Sequence, residues 1–157
     1  MPLVTLNSRW AFRRILALIL LPLALAACDP LIGAYSAEAY KNATSLKARS
    51  LAMIDRSGRS YSSQQTDVTA LMTDIDAAYE FSKGLPKNEI SARQWQLMRD
   101  PDEGLMGGFV AGWKRNGTVG GFFRSEKKTQ IARAYDYIIC LEVNKQKATP
   151  CAGLASN

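Results

Sequence analysis

Histidine is absent from this 157-residue chain. That excludes Ser-His-Asp and Cys-His nucleophiles, an imidazole general base and every His-containing zinc site. Cysteine is scarce, at three residues, and no Cys-x-x-Cys pair is present, so a thioredoxin-type redox centre is excluded too. There is no G-x-G-x-x-G. Gly107 and Gly112 have the spacing of a phosphate loop, but Trp113-Lys114 follow, and the lysine and hydroxyl that carry that motif's chemistry are missing. No alternating apolar and polar run marks a strand. The longest uncharged run, Ile15 to Ala27, would reach only ~20 Å as a helix, short of the ~30 Å hydrocarbon core of a bilayer.

What that run does fit is an export signal. Arg9, Arg13 and Arg14 precede it as a basic n-region, and no acidic residue occurs before Asp29. Leu25-Ala26-Ala27-Cys28 closes it and resembles the lipobox of bacterial lipoproteins: a branched residue, two small ones, then the cysteine that is lipidated and becomes the new N-terminus. The resemblance implies removal of residues 1–27 and a palmitate-type anchor on Cys28. Two or more acyl chains give stable anchoring where one does not. Asp29, directly after the cysteine, resembles the inner-membrane retention signal of enteric bacteria, so a periplasm-facing position on the inner membrane is expected over the outer membrane. Residues 28–33 then form a tether of at most ~20 Å.

Removing residues 1–27 would leave 130 residues, and the net charge would fall from +6 to +3. That remainder is uneven: residues 28–113 carry net −2 and residues 114–157 net +5. It suits one domain with a single core. With Cys28 lipidated, Cys140 and Cys151 remain as an even pair in an oxidising compartment; they are either a disulfide tying back a tail over 146–157 or two free thiols.

The apolar period is helical almost throughout. Ala39, Ala43, Leu46, Ser50 and Met53 define a first helix over about 34–56. Val68, Leu71, Met72, Ile75, Ala78, Tyr79 and Ser82 define a second, with Ser62 and Gln65 as a capping box and Gly84 and Pro86 as the stop. A short helix is expected from an Asn88 N-cap to Arg99, ended by Pro101, and another from Leu105 to Arg115, ended by Gly117. Phe122, Phe123, Ile131, Ala134, Ile138 and Leu141 predict a long last helix over about 119–145. The expected fold is all-α: a bundle over 34–145 of three long helices, with a short Gly-rich helical insert between the second and the last.

Several constellations carry residue types suited to chemistry. Gly108 and Gly112 share a helical face, and a tight helix contact is expected there rather than a ligand loop. Asp100, Asp102 and Glu103 begin like a calcium loop, but the glycine falls one position early and Ala111 stands where the closing glutamate belongs; a capped turn is expected, and no metal. Glu89 and Glu103 are the nominal carboxylates for glycan chemistry, with no evident pairing. Lys114, Arg115, Arg124, Lys127, Lys128 and Arg133 surround Trp113, Phe122 and Phe123. An anionic lipid surface is one partner for them, since an exported protein rarely meets nucleic acid. The expected alternative is a solvated face paired with Asp67, Asp74, Asp76 and Glu80, with both phenylalanines in the core.

The stretch Pro86-Lys-Asn-Glu-Ile-Ser-Ala-Arg-Gln-Trp95, followed by Arg99-Asp-Pro-Asp, resembles sequence in small proteobacterial lipoproteins and brings no activity with it. The functional expectation is a non-enzymatic, cofactor-free envelope lipoprotein that binds another envelope protein. The alternatives are an exclusion or immunity lipoprotein acting against a mobile element or toxin, and a carboxylate-dependent cell-wall enzyme.

Overall fold

A computed structural model describes residues 32–145 and Cys151. The expected export segment, Cys28, Asp29 and the remainder of the tail lie outside the described residues. Within them the chain is all-α: α1 (Ala37–Arg56), a 3-10 turn (Tyr61–Gln64), α2 (Gln65–Gly84), α3 (Glu89–Arg99), α4 (Met106–Asn116) and α5 (Gly121–Asn144), with no strand. α1 packs on α2 and α5, and α3 packs on the same two helices. These four therefore close a ring with alternating directions. The short α3 is a full member of that ring, and the Gly-rich α4 rests on α3 and the 3-10 turn.

Side-chain chemistry explains the boundaries. The Ser36 hydroxyl accepts from the Ala39 N–H at 3.2 Å, so α1 begins at Ala37, three residues later than its apolar pattern alone indicates. Its small-residue stripe is buried whole: Ala39, Ala43, Leu46, Ser50 and Met53. The Ser62–Gln65 capping box does not form. Ser62 lies inside the 3-10 turn, and α2 starts without a side-chain cap. Tertiary contacts explain this: the Tyr61 N–H donates to the Gly117 carbonyl at 2.7 Å and its ring meets Trp113 edge-on at 5.6 Å, which commits the segment to the end of α4. Gly117, at φ 78°, terminates α4 and returns its N–H to Trp113 O at 2.8 Å.

Asn88 does occupy the N-cap position of α3, but its side chain is used elsewhere. Its amide donates to Ser82 O at 2.7 Å, and its oxygen accepts from Lys145 at the end of α5. Lys145 also reaches Ser91 Oγ at 3.0 Å and Glu142 Oε1 at 2.7 Å, all in buried surroundings. Beside this network the Gly33 N–H donates to Lys87 O at 2.7 Å, and a Cβ on Gly33 would come within 2.7 Å of Pro86 O. The Cys140–Cys151 disulfide, Cα to Cα 5.9 Å, lies at the same end. We call this end the base; the start of the domain, the α2–α3 turn and the end of α5 meet there.

α5 runs antiparallel to α1, with Lys47 paired to Asp136, Ser50 to Tyr135 and Asp55 to Lys128. Its buried positions are Ile131, Tyr135, Ile138 and Glu142, at spacings of four, three and four. Leu141, expected in the core, is only half-buried. No residue from Gly121 to Gln130 is buried. Phe122 and Phe123, also expected in the core, are 84% and 52% exposed. The reason is registry: Ser57 O accepts from the Val119 N–H at 2.9 Å, so α1 has ended where α5 begins and offers the first turns no apolar face.

A candidate interaction site at the tip of the bundle

At the end opposite the base, α4 turns Met106, Phe109 and Trp113 into the core. The Trp113 indole N–H donates to Arg59 O at 3.1 Å, which fixes α4 against the α1–α2 connection. The close backbone approach in this region is made by Gly107, not by Gly108 and Gly112 as expected. A Cβ on Gly107 would fall onto the carbonyls of Arg99 and Asp100, whereas Gly108 has nothing nearer than 3.8 Å and Gly112 nothing nearer than 4.0 Å. These two glycines instead present a bare helical surface.

That surface is one side of a cleft of about 470 Å³. Asp102 and Glu103 stand on another side, and Arg115, Phe123 and Lys127 complete it. The acidic side is ordered by a turn: Asp100 Oδ1 accepts from the N–H groups of Asp102 at 2.8 Å and Glu103 at 3.1 Å. These backbone donors, Glu103 foremost, hold the Asp100 carboxyl below its usual range. Among the described residues no group of three or more Cys, Asp or Glu side chains is placed to hold a metal ion. Glu89 opens α3 and Glu103 follows its far end, so about 15 Å of helix rise lies between them, too far to share one glycosidic bond.

The basic residues do not pair with α2 as expected. Asp67 pairs with Arg56, Asp74 with Arg49, Asp76 with Arg99 and Glu80 with Lys83. α2 faces α1 and α3, so arginines on those helices pair with its three aspartates and its own Lys83 with Glu80, while α5 lies across the ring. Of the basic set, Lys128 contacts both oxygens of Asp55 at 2.7 Å. Lys127 donates to neutral Gln130 at 2.9 Å and lies 5.6 Å from the centre of the Phe123 ring. The Arg124 guanidinium extends over Gly58. Lys114, Arg115 and Arg124 form no ion pair with any described residue.

The tip thus combines two exposed aromatic rings, three cations without counterions among the described residues and a two-signed cleft. Sequence reasoning found the basic residues but assigned the rings inward. The signal it passed over is the empty core face before Ile131: the run from Gly121 to Gln130 has only two apolar residues, and they are adjacent rather than a helical turn apart. No protein-family model, curated protein or solved structure matches this chain.

Proposed function

We propose that this chain is a non-enzymatic envelope lipoprotein, anchored through acylated Cys28 and facing the periplasm, that binds another envelope protein through the tip. The observation that carries the reading is the segment from Gly121 to Gln130, which adds no buried residue yet holds Phe122 and Phe123 in solvent. Exposed neighbouring aromatics contribute nothing to the core and are enriched where proteins bind one another.

Geometry supports a protein partner. The described domain begins beside the α2–α3 turn at the base, and α1 spans about 30 Å from there to the tip. With lipid on Cys28 and a tether of at most ~20 Å, an upright domain presents the tip away from its own membrane. Asp29 favours the inner membrane for that anchor.

Two experiments test the reading. Cys28→Ser is expected to abolish palmitate labelling and leave unprocessed precursor; unchanged labelling would overturn the anchor. A benzophenone amino acid at position Phe122, irradiated in intact cells, is expected to give a discrete protein adduct that the same probe at Lys41, near the base, does not. Adducts with lipid alone, or none, would remove the binding role.

A further inference from the structure

Resting on that reading, we propose that the tip cleft receives an acidic segment of the partner polypeptide, with its carboxylates toward Arg115 and Lys127 and an aromatic or branched side chain against Phe123. The cleft's about 470 Å³ accommodates a few side chains and not a folded surface. Phe123, half-exposed on its wall, supplies the apolar contact. Gly108 and Gly112 place no side chain in the way, so an extended backbone can lie close to α4.

Charge selects the occupant. On the cleft wall Arg115 lacks a counterion among the described residues, and Lys127 donates only to a neutral amide. Arg115 is well suited to carboxylates, because its planar fork donates two parallel hydrogen bonds. The neighbouring Asp102 and Glu103 narrow the choice further. A uniformly anionic surface, such as a headgroup layer, would bring negative charge against both carboxylates. A peptide can direct its acids toward Arg115 and Lys127 and its N–H groups to the Asp102–Glu103 side. The acidic wall therefore discriminates against the simplest competing ligand.

The test uses the full chain in neutral detergent and fluorescein-labelled octapeptides alternating Glu with Phe, read by fluorescence anisotropy. Saturable binding is expected to weaken about tenfold or more in Arg115→Glu and in Phe123→Ser, with helicity by circular dichroism unchanged. Lys41→Glu, at the base, is expected to leave it unaltered. The affinity is also expected to fall as salt rises. Equal binding of a Lys-for-Glu peptide, no binding at all, or displacement by short-chain phosphatidylglycerol as effective as by unlabelled peptide would overturn the proposal. If the peptides fail while crosslinking at position 122 still yields a protein, only the acidic chemistry falls. If crosslinking fails as well, the binding role falls with it.

Discussion

The hydroxyls of Ser50 on α1 and Tyr135 on α5 share a 2.8 Å hydrogen bond inside a core that excludes water from both residues. Neither group has another described partner, so each satisfies the other and the pair fixes the register of the two helices. Ser50→Ala leaves the phenol buried and unpaired, and is expected to cost about 1–3 kcal/mol. Ser50→Ala with Tyr135→Phe removes both polar groups and should cost less than the two single changes added together. Urea denaturation of the four proteins in a cycle measures the difference; strict additivity would disprove the coupling.

Burial pushes the Tyr135 phenol well above its usual range, against smaller opposing contributions from Ser50 and Arg49. The folded chain therefore keeps this proton where the unfolded chain, titrating near ~10, has lost it. With fewer protons bound in the unfolded state, stability contributed by this group is complete below about pH 10 and declines above it. Tyr135→Phe is expected to show a shallower loss of melting temperature between about pH 9 and 11 than the unaltered protein. Parallel curves would show that other groups govern the alkaline limit.

Much of this fold is legible in the sequence because burial and apolarity coincide on α1 and α2. Ala39, Ala43, Leu46 and Met53 on α1, and Val68, Leu71, Ile75 and Ala78 on α2, are buried where the helical period places them. α5 is harder to read, because its core face includes Tyr135 and Glu142, which a search for apolar spacing passes over. Phe122 and Phe123 mislead in the opposite sense: apolar residues imply a core only when a neighbouring helix reaches that far, and α1 stops short. The cleft is a consequence of which glycine packs and which does not. That choice depends on how α4 lies over the end of α3, a long-range outcome with no local signature.

The glycines of α4 make a discriminating pair. Gly107→Ala drives a methyl into the Arg99 and Asp100 carbonyls and is expected to destabilise by about 1–3 kcal/mol. Gly112→Ala meets open space and gains helix propensity, so stability should rise by up to about 1 kcal/mol while a methyl enters the cleft. Thermal melts of both variants decide the matter; equal effects would contradict the assignment of the close approach to Gly107.

At the base, the Lys145 ammonium is held by Asn88, Ser91 and Glu142, and both charged side chains are almost wholly buried. Glu142 Oε2 has no hydrogen-bond partner among the described residues. Removing one member strands the other, so Lys145→Met is expected to cost about 3–5 kcal/mol. The Lys145→Met, Glu142→Leu double variant should recover much of that loss, as replacing a buried pair with apolar groups often does. A double variant as unstable as Lys145→Met alone would show that packing, not the unpaired charge, governs this site.

The Cys140–Cys151 bridge closes a loop eleven residues along the chain. In the chain-entropy account a loop of that length stabilises by about 2.5–3 kcal/mol. Cys151→Ser is expected to lower stability by a similar amount while leaving the helical content intact. Mass measured with and without reductant checks the bond; no change in the denaturation midpoint would show that the bridge ties down the tail without supporting the bundle.

Trp113 lines the cleft while its indole N–H is held by the Arg59 carbonyl, and Trp95 lies in the core against Tyr135, ring centres 6.0 Å apart. The remaining tryptophan, Trp10, belongs to the segment read as an export signal and would leave with it. A processed chain would then contain two indole emitters, one adjoining the proposed binding site and one sealed against Tyr135. Occupancy of the tip would alter the first signal and spare the second, so a processed chain would carry its own optical gauge of that site, with an internal standard.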